Sequence, residues 1–413
     1  MTNASAPVGR YAVIVSRFPK LTETFVLQEL RGLQERGLDF ELYSIIHETP
    51  EQMQPDAVEL DARANYIEWR SREVLSAQWH WLRRNPRGYL RAWATAFRLS
   101  WKSKDALVRS PLLVALAAAM ARRMTAQGVD RVHAHWATYP TMTALCIQEI
   151  SGIPYSFTGH AHDIFGDRAG LGTKVDRADL VMTCTDHGRG ILVETAGNPT
   201  RAQRTVHLVH HGVRLGTFTP QPLRTREVGD PFRILCVAAL QEYKGHRYLL
   251  EASALLTHRG VANTVTMLGD GELRAELEAM ASSLGVEARF LGRQPSEVVR
   301  QEVTDADCFA LASIQLDNGF MDGIPNVCVE AMAMGRPVVA SSLPGIRELV
   351  IEGETGLLAT SRDAISLADQ LERLAADPLL AEHLAAAGLA KVHAEHDATT
   401  NLDEVHRLLT SLL

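Results

Sequence analysis

The 413-residue sequence concentrates its chemistry between residues 317 and 349, which read DNGFMDGIPNVCVEAMAMGRPVVASSLPGIREL. Two carboxylates, Asp322 and Glu330, stand there with seven residues between them, and Gly323, Ile324, Pro325 and Asn326 lie in the gap. The pattern predicts a helix from about Asn326, with Asp322 ahead of it and Glu330 inside it. A glycine lets backbone amides approach a ligand, and a helix start offers unsatisfied N–H groups and positive dipole. Carboxylates accept hydrogen bonds from sugar hydroxyls, so this loop can hold both ends of a nucleotide sugar. The spacing of the two acids alone would say little; the whole string says more.

Three further segments place polar residues where chain direction changes. SFTGHAHDIF (156–165) ends a strand-like run and puts His160 and Asp163 beyond it. RFPKLTETF (17–25) brings Thr22, Glu23 and Thr24 to a helix start, where they suit either a phosphate contact or a plain N-cap. LGDGEL (268–273) is a glycine-lined turn in which Gly269 suits base or phosphate contact or a simple strand-to-helix turn.

These residues need a scaffold of alternating strands and helices. YAVIVS (11–16), a helical run over 22–37 and FELYSII (40–46) begin a parallel α/β layer. Short apolar runs at 131–136, 154–160, 178–185 and 204–213 continue it. A second series begins at FRILCVAAL (232–240) and carries strands near 264–270, 288–292, 307–313, 336–342 and 355–360. Between the two, residues 216–231 hold three prolines and little apolar content, which reads as a linker. The expected architecture is a first domain over 1–215, this linker, and a second domain over 232–413 whose last helix is free to cross back to the first. In such sheets ligands sit beyond the carboxyl ends of strands.

Residues of about 66–125 interrupt the alternation with helical segments and no strand. From Glu68 to Arg123 there are twelve Lys/Arg against three Asp/Glu and five of the six tryptophans. Residues 1–215 carry 26 Lys/Arg and 21 Asp/Glu, or +5, whereas 216–413 carry 16 and 28, or −12, so this insert makes the first half positive within a chain of net charge −7. Basic helices with tryptophan suit an anionic lipid surface; tryptophans at helical spacing equally suit a core with arginines on its solvated face. Both readings stand at this level.

Composition excludes several classes. With 46% hydrophobic and 22% charged residues the chain is globular, not disordered, collagen-like or disulfide-built. Five cysteines, never in a C-x-x-C pair, are expected as free thiols of a cytoplasmic protein. The N-terminal MTNASAPVGR is not an apolar signal segment, and no membrane span is expected. Dinucleotide binding is disfavoured, because the turn after the first strand lacks glycine and Gly269-Asp270-Gly271 fails G-x-G-x-x-G.

The 317–349 string resembles glycosyltransferase family 4, retaining transferases of the GT-B fold with an E-x7-E motif, and within it the exopolysaccharide enzymes of colanic-acid type, whose loop reads D-G-I-P-x-x-x-x-E-A-M-A. The likeness spans most of the chain and is densest from Phe232 to Ala359. It implies two doubly wound Rossmann-like domains facing each other across a cleft. It further implies that Glu330 binds the nucleotide ribose, that Asp322, one methylene shorter than the usual first Glu, faces the donor sugar, and that Gly323 to Asn326 line the sugar pocket. Lys244 in QEYKGH matches the family lysine that neutralises the leaving diphosphate, but Ala238 and Ala239 stand where the family has Gly-Arg. His160 falls in a T-x-H-G-x-D-like loop beside donor sugar or acceptor, with Asp163 supporting the loop; His133 and His135 read as structural or supporting. RFPKLTETF has the F-P-x-x-[S/T]-E-T-F form of the exopolysaccharide branch, near phosphate or acceptor.

The activity implied is retaining, metal-independent transfer from a nucleotide-diphosphate sugar to a saccharide or lipid-linked saccharide, with no cofactor and no nucleic-acid partner, in the cytoplasm or peripherally at the inner face of the plasma membrane. Asp305 and Asp307 read as a helix end and a strand start, not a metal clamp. A nucleotide-sugar epimerase of the same fold and a non-catalytic nucleotide-sugar-binding protein are the alternatives.

Overall fold

The computed structural model describes residues 9–19, 24–48, 55–101, 103–166, 168–227 and 229–413. The chain divides into two compact units, one of residues 1–184, 188–209 and 402–413, the other of 185–187 and 210–401.

The first unit holds a seven-stranded sheet of β1 (Tyr11–Phe18), β2 (Phe40–His47), β3 (Asn65–Tyr66), β4 (Arg131–His135), β5 (Tyr155–Gly159), β6 (Leu180–Thr183) and β7 (Val206–Leu208). Its order is β3-β2-β1-β4-β5-β6-β7, and every adjacent pair is parallel. The central strands bury every described residue on both faces over most of their length, as near-continuous apolar runs require. Val26, Leu30 and Leu33 of the helix Thr24–Glu35 close one face, joined by Val405, Leu408 and Leu409 from the last helix, Ala398–Thr410. Tyr11 Oη donates to the Leu409 carbonyl at 2.8 Å, which ties the chain's end to its first strand.

The insert forms three helices, Arg72–Arg84, Pro86–Ser100 and Lys104–Gln127. Side chains of Ser71, Asn85 and Ser103 cap their first turns, accepting from Val74, Gly88 and Ala106. The short β3 pairs with β2 just ahead of them, where the periodicity shows no strand because two residues are too few to establish a period. The run 204–213 also differs from its expected strand. Only Val206–Leu208 joins the sheet, preceded by the helix Pro199–Thr205.

The second unit holds β8 (Phe232–Val237), β9 (Asn263–Leu268), β10 (Ala288–Gly292), β11 (Cys308–Leu311), β12 (Val338–Ser341) and β13 (Leu357–Ala359), all parallel, in the order β10-β9-β8-β11-β12-β13. Residues 216–231 are strapped to this unit. Fully buried Arg336 donates to the carbonyls of Gln221 and Pro222, and Arg224 pairs with Asp230 and with buried Asp307. Proline-rich composition removes regular structure from this segment without removing its carbonyls, which a buried guanidinium can then use.

Strand order reverses between β1 and β4 in one sheet and between β8 and β11 in the other. Connections leave in opposite directions there, opening a crevice beyond the carboxyl ends of the strands.

Candidate functional site

In the second unit the segments that follow β8 and β11 converge. Lys244 closes a short 3-10 turn, Glu242–Lys244, seven residues past β8. Its Nζ lies 2.8 and 2.9 Å from the two oxygens of Asp322. Ser313, two residues past β11, donates to the same carboxylate at 2.5 Å. Both charged side chains are mostly buried, at 12% and 13% exposure. Burial opposes charge on Lys244, yet the attraction of Asp322 wins and holds its pKa above the ordinary lysine value. The ammonium also sits 4.9 Å from the centre of the Tyr243 ring, itself packed edge-on against Phe320.

Two backbone features seat this cluster. Gly245 has φ of +65°, and a Cβ there would fall 1.9 Å from the Ala312 carbonyl oxygen. Gly269 has φ of +135°, and its Cβ would fall 1.9 Å from the carbonyl oxygen of Ala238. Gly269 thus serves first as the close-packed turn beyond β9. Ala238 and Ala239 bring no cation, and their backbone is held differently. His246 Nε2 is 2.9 Å from the Ala239 carbonyl, which can only accept, so that nitrogen carries the ring proton. Burial keeps His246 below the usual imidazole pKa, hence neutral. Among the described residues Lys244 is the one cation paired with Asp322.

Glu330 lies in the second turn of the helix Asn326–Ala333, which opens immediately after Pro325. Gly323 and Pro325 are buried; Ile324, Asn326 and Glu330 are partly exposed. Burial alone pushes the Glu330 carboxyl up to about 7, and among the described residues no side chain donates to it. Burial pushes the Cys328 thiol of the same helix up, against the lowering effect of the Lys244 ammonium. The second unit thus holds a buried ion pair and, in the helix that follows the Asp322 loop, a carboxylate that still has acceptor capacity.

In the first unit, His160 follows β5 and is buried, as the N-cap of the short helix Ala161–Phe165. Its ring packs on Phe25 at 5.1 Å, Trp136 at 4.4 Å and His135 at 6.1 Å. Asp163 accepts from the backbone N–H of His160 at 2.7 Å and from that of Ala137. Burial raises its carboxyl to about 7, against the lowering effect of these hydrogen bonds. Asp163 therefore joins the turns after β4 and β5 through backbone amides. Buried Lys174 adds a bond to the Ala137 carbonyl at 2.7 Å.

His133 is locked between Ser156 Oγ at 2.8 Å and Thr158 Oγ1 at 3.1 Å, and burial keeps it well below the ordinary pKa. His135 Nε2 is 3.5 Å from Glu29, whose carboxyl burial raises to about 7. Thr22 and Glu23 lie outside the described residues, and Thr24 begins the helix Thr24–Glu35. Asp305 ends the helix Ser296–Asp305, while Asp307 accepts from Arg224 and from the backbone N–H of Arg233.

The structure thus joins Lys244 to Asp322, two residues the motif reading had assigned separately to diphosphate and sugar. Ser313 was missed. Its signal was a polar residue ending the apolar run DCFALAS, since β11 stops at Leu311 and leaves Ser313 buried just beyond the strand's end. Lys174 had no sequence signal at all.

Residues 231–377 match the family model for glycosyl transferases group 1. WcaL of Escherichia coli (strain K12), whose name assigns it provisionally to colanic acid biosynthesis as a glycosyltransferase, is 29% identical over 96% of this chain and 97% of its own length. The amylovoran biosynthesis glycosyltransferase AmsK of Erwinia amylovora is 37% identical over 43% of this chain and 44% of its own. Among solved structures, Anabaena HepE in complex with UDP superposes with a TM-score of 0.70 at 17% identity, covering 98% of this chain and 100% of that one. At that identity the likeness establishes the fold, two Rossmann-like sheets of the GT-B type. The second unit is therefore a glycosyl transferases group 1 domain over residues 231–377, and the chain that carries it is a glycosyltransferase of the GT-B fold.

Proposed function

We propose that this glycosyltransferase moves a sugar from a nucleoside-diphosphate donor to a hydroxyl of a saccharide or lipid-linked saccharide during exopolysaccharide or cell-surface polysaccharide assembly, with retention at the anomeric carbon and without a metal. The observation that carries the donor assignment is the Lys244–Asp322–Ser313 cluster at the strand-order reversal of the second sheet, followed by the partly exposed Glu330, to which no side chain donates among the described residues. Glu330 accepts from the ribose hydroxyls. Lys244 meets the diphosphate, where a fixed cation stabilises charge that grows as the leaving group departs. An incoming diphosphate competes with Asp322 for the lysine, and Asp322, still held by Ser313, turns its acceptor capacity to the sugar hydroxyls. The amides of Gly323 to Asn326 line the sugar. His160, Asp163 and residues Thr22, Glu23 and Thr24 serve the acceptor, a saccharide carried in this reading on a lipid at the inner face of a membrane.

The test is incubation of the purified protein with labelled nucleotide sugars and a lipid extract, with and without a chelator. Donor-dependent labelling of lipid, insensitive to chelation and with an unchanged anomeric configuration, is expected. A free nucleotide-sugar product would point to an epimerase, and binding without product to a non-catalytic protein; loss of turnover on chelation would overturn the metal-free reading.

A further inference from the structure

The insert's tryptophans do not share one fate. Trp81 is core, 3% exposed, with its Nε1 donating to the Ala118 carbonyl at 2.8 Å. Trp69, Trp79 and Trp101 are 53, 63 and 64% exposed. On the helix Arg72–Arg84, Leu75, Trp79 and Leu82 recur at i, i+4 and i+7 on the outer side, away from buried Val74, Ala77 and Trp81. On Pro86–Ser100 and its C-cap Trp101, Leu90, Phe97 and Trp101 form a second exposed stripe, with the exposed arginines 87, 91 and 98 interleaved. A helix on a protein surface ordinarily turns its polar side outward. These two turn apolar stripes outward and rim them with arginine, the pattern of an interaction surface.

A recess of about 770 Å³ opens beside the first stripe, lined by Ser76, Trp79, His80, Arg83, Arg84 and Arg122. Arg83 stacks at 5.6 Å over the Trp79 ring, and Arg122 donates to Ser76 Oγ at 2.9 Å. Among the described residues no carboxylate lines it. Between Arg72 and Trp101 the sequence holds six arginines and one acid, Glu73. Charge complementarity selects the occupant. A second copy packing the same face on itself would oppose arginine to arginine, whereas a sheet of lipid phosphates meets both the charges and the apolar stripes.

We propose that these two helices are an interfacial docking surface for an anionic phospholipid bilayer: exposed tryptophan, phenylalanine and leucine enter the headgroup boundary, and the arginine-lined recess seats a lipid phosphate. The benefit of docking rests on the lipid-linked acceptor proposed above, but the binding itself needs neither donor nor acceptor, so the two readings fail separately. The experiment is co-sedimentation of the full chain with vesicles of phosphatidylcholine alone or mixed with phosphatidylglycerol. Binding is expected with the mixed vesicles only, weakening as salt rises. Paired substitutions Arg83→Gln/Arg84→Gln and Arg87→Gln/Arg98→Gln should each weaken it about 30-fold, at about five-fold per arginine near the surface. Trp79→Ser/Trp101→Ser should abolish it. All six positions are exposed, so melting temperatures should stay unchanged and a loss of binding is not a loss of fold. Equal binding to neutral vesicles, no binding to either, or self-association abolished by the same substitutions would overturn the proposal.

Discussion

The Lys244–Asp322 pair permits a test in which stability and turnover part company. The two groups are bonded at 2.8 and 2.9 Å and are only 12% and 13% exposed. Lys244→Met leaves the Asp322 carboxylate with Ser313 as its remaining donor, and Asp322→Leu leaves a buried ammonium without its counter-charge. Removing one member of a buried pair costs about 3–5 kcal/mol, and the residual exposure argues for the lower end, about 3. For a unit of this size that corresponds to a fall of about 6–12 °C in melting temperature for each single variant. The double variant removes both charges, so its destabilisation should be much less than the sum, with a coupling of about 2 kcal/mol or more. Turnover should behave otherwise: lost by orders of magnitude in Lys244→Met, because one such electrostatic contact is worth roughly 3 kcal/mol, and still lost in the double variant. The assays are thermal melting and single-donor turnover on all four proteins. Additive melting shifts would refute the pairing argument, and recovery of turnover in the double variant would show that the lysine's charge is not needed at the diphosphate.

Two other residues give predictions of different kinds. Glu330 titrates near 7 because burial disfavours its charge, and ribose hydroxyls bind the ionised form. Nucleoside affinity should therefore rise about ten-fold from pH 6 to pH 8 and then level, while Glu330→Gln should bind weakly at every pH. A nucleoside is the right ligand because a phosphate's own ionisation near pH 6 would mask the effect; a flat wild-type profile would remove Glu330 from the ribose. Gly269→Ala would set a Cβ 1.9 Å from the Ala238 carbonyl at a φ of +135°. It should cost about 2–4 kcal/mol and displace the Ala238–Leu240 turn, lowering donor affinity along with melting temperature; an unchanged melting curve would show that the turn yields freely.

The residues of the proposed donor site are named by short motifs in the primary structure. Lys244, Asp322 and Glu330 each sit in a motif a few residues long, and the strand or helix that presents each is local. Their partners were not legible. Ser313 meets Asp322 only because β11 ends two residues early, and His246 holds Ala239 only because the chain turns back after Lys244. Three prolines and little apolar content mark 216–231 as a linker but do not show what holds it; Arg336, more than a hundred residues away, donates to its Gln221 and Pro222 carbonyls.

The sequence by itself determined the parallel α/β class, the order of the longer elements and the position of each candidate acid and base, because hydrophobic periodicity and glycine punctuation are local properties. Only the tertiary structure decided which charges neutralise each other and which tryptophans face out. Trp79 and Trp81 are two residues apart on one helix, in the same composition, and one is exposed while the other is core. A helix turns about 100° per residue, so such neighbours face different ways, and which side is inside depends on where the Lys104–Gln127 helix lies. That is a fact about packing, and packing is settled between segments distant in sequence.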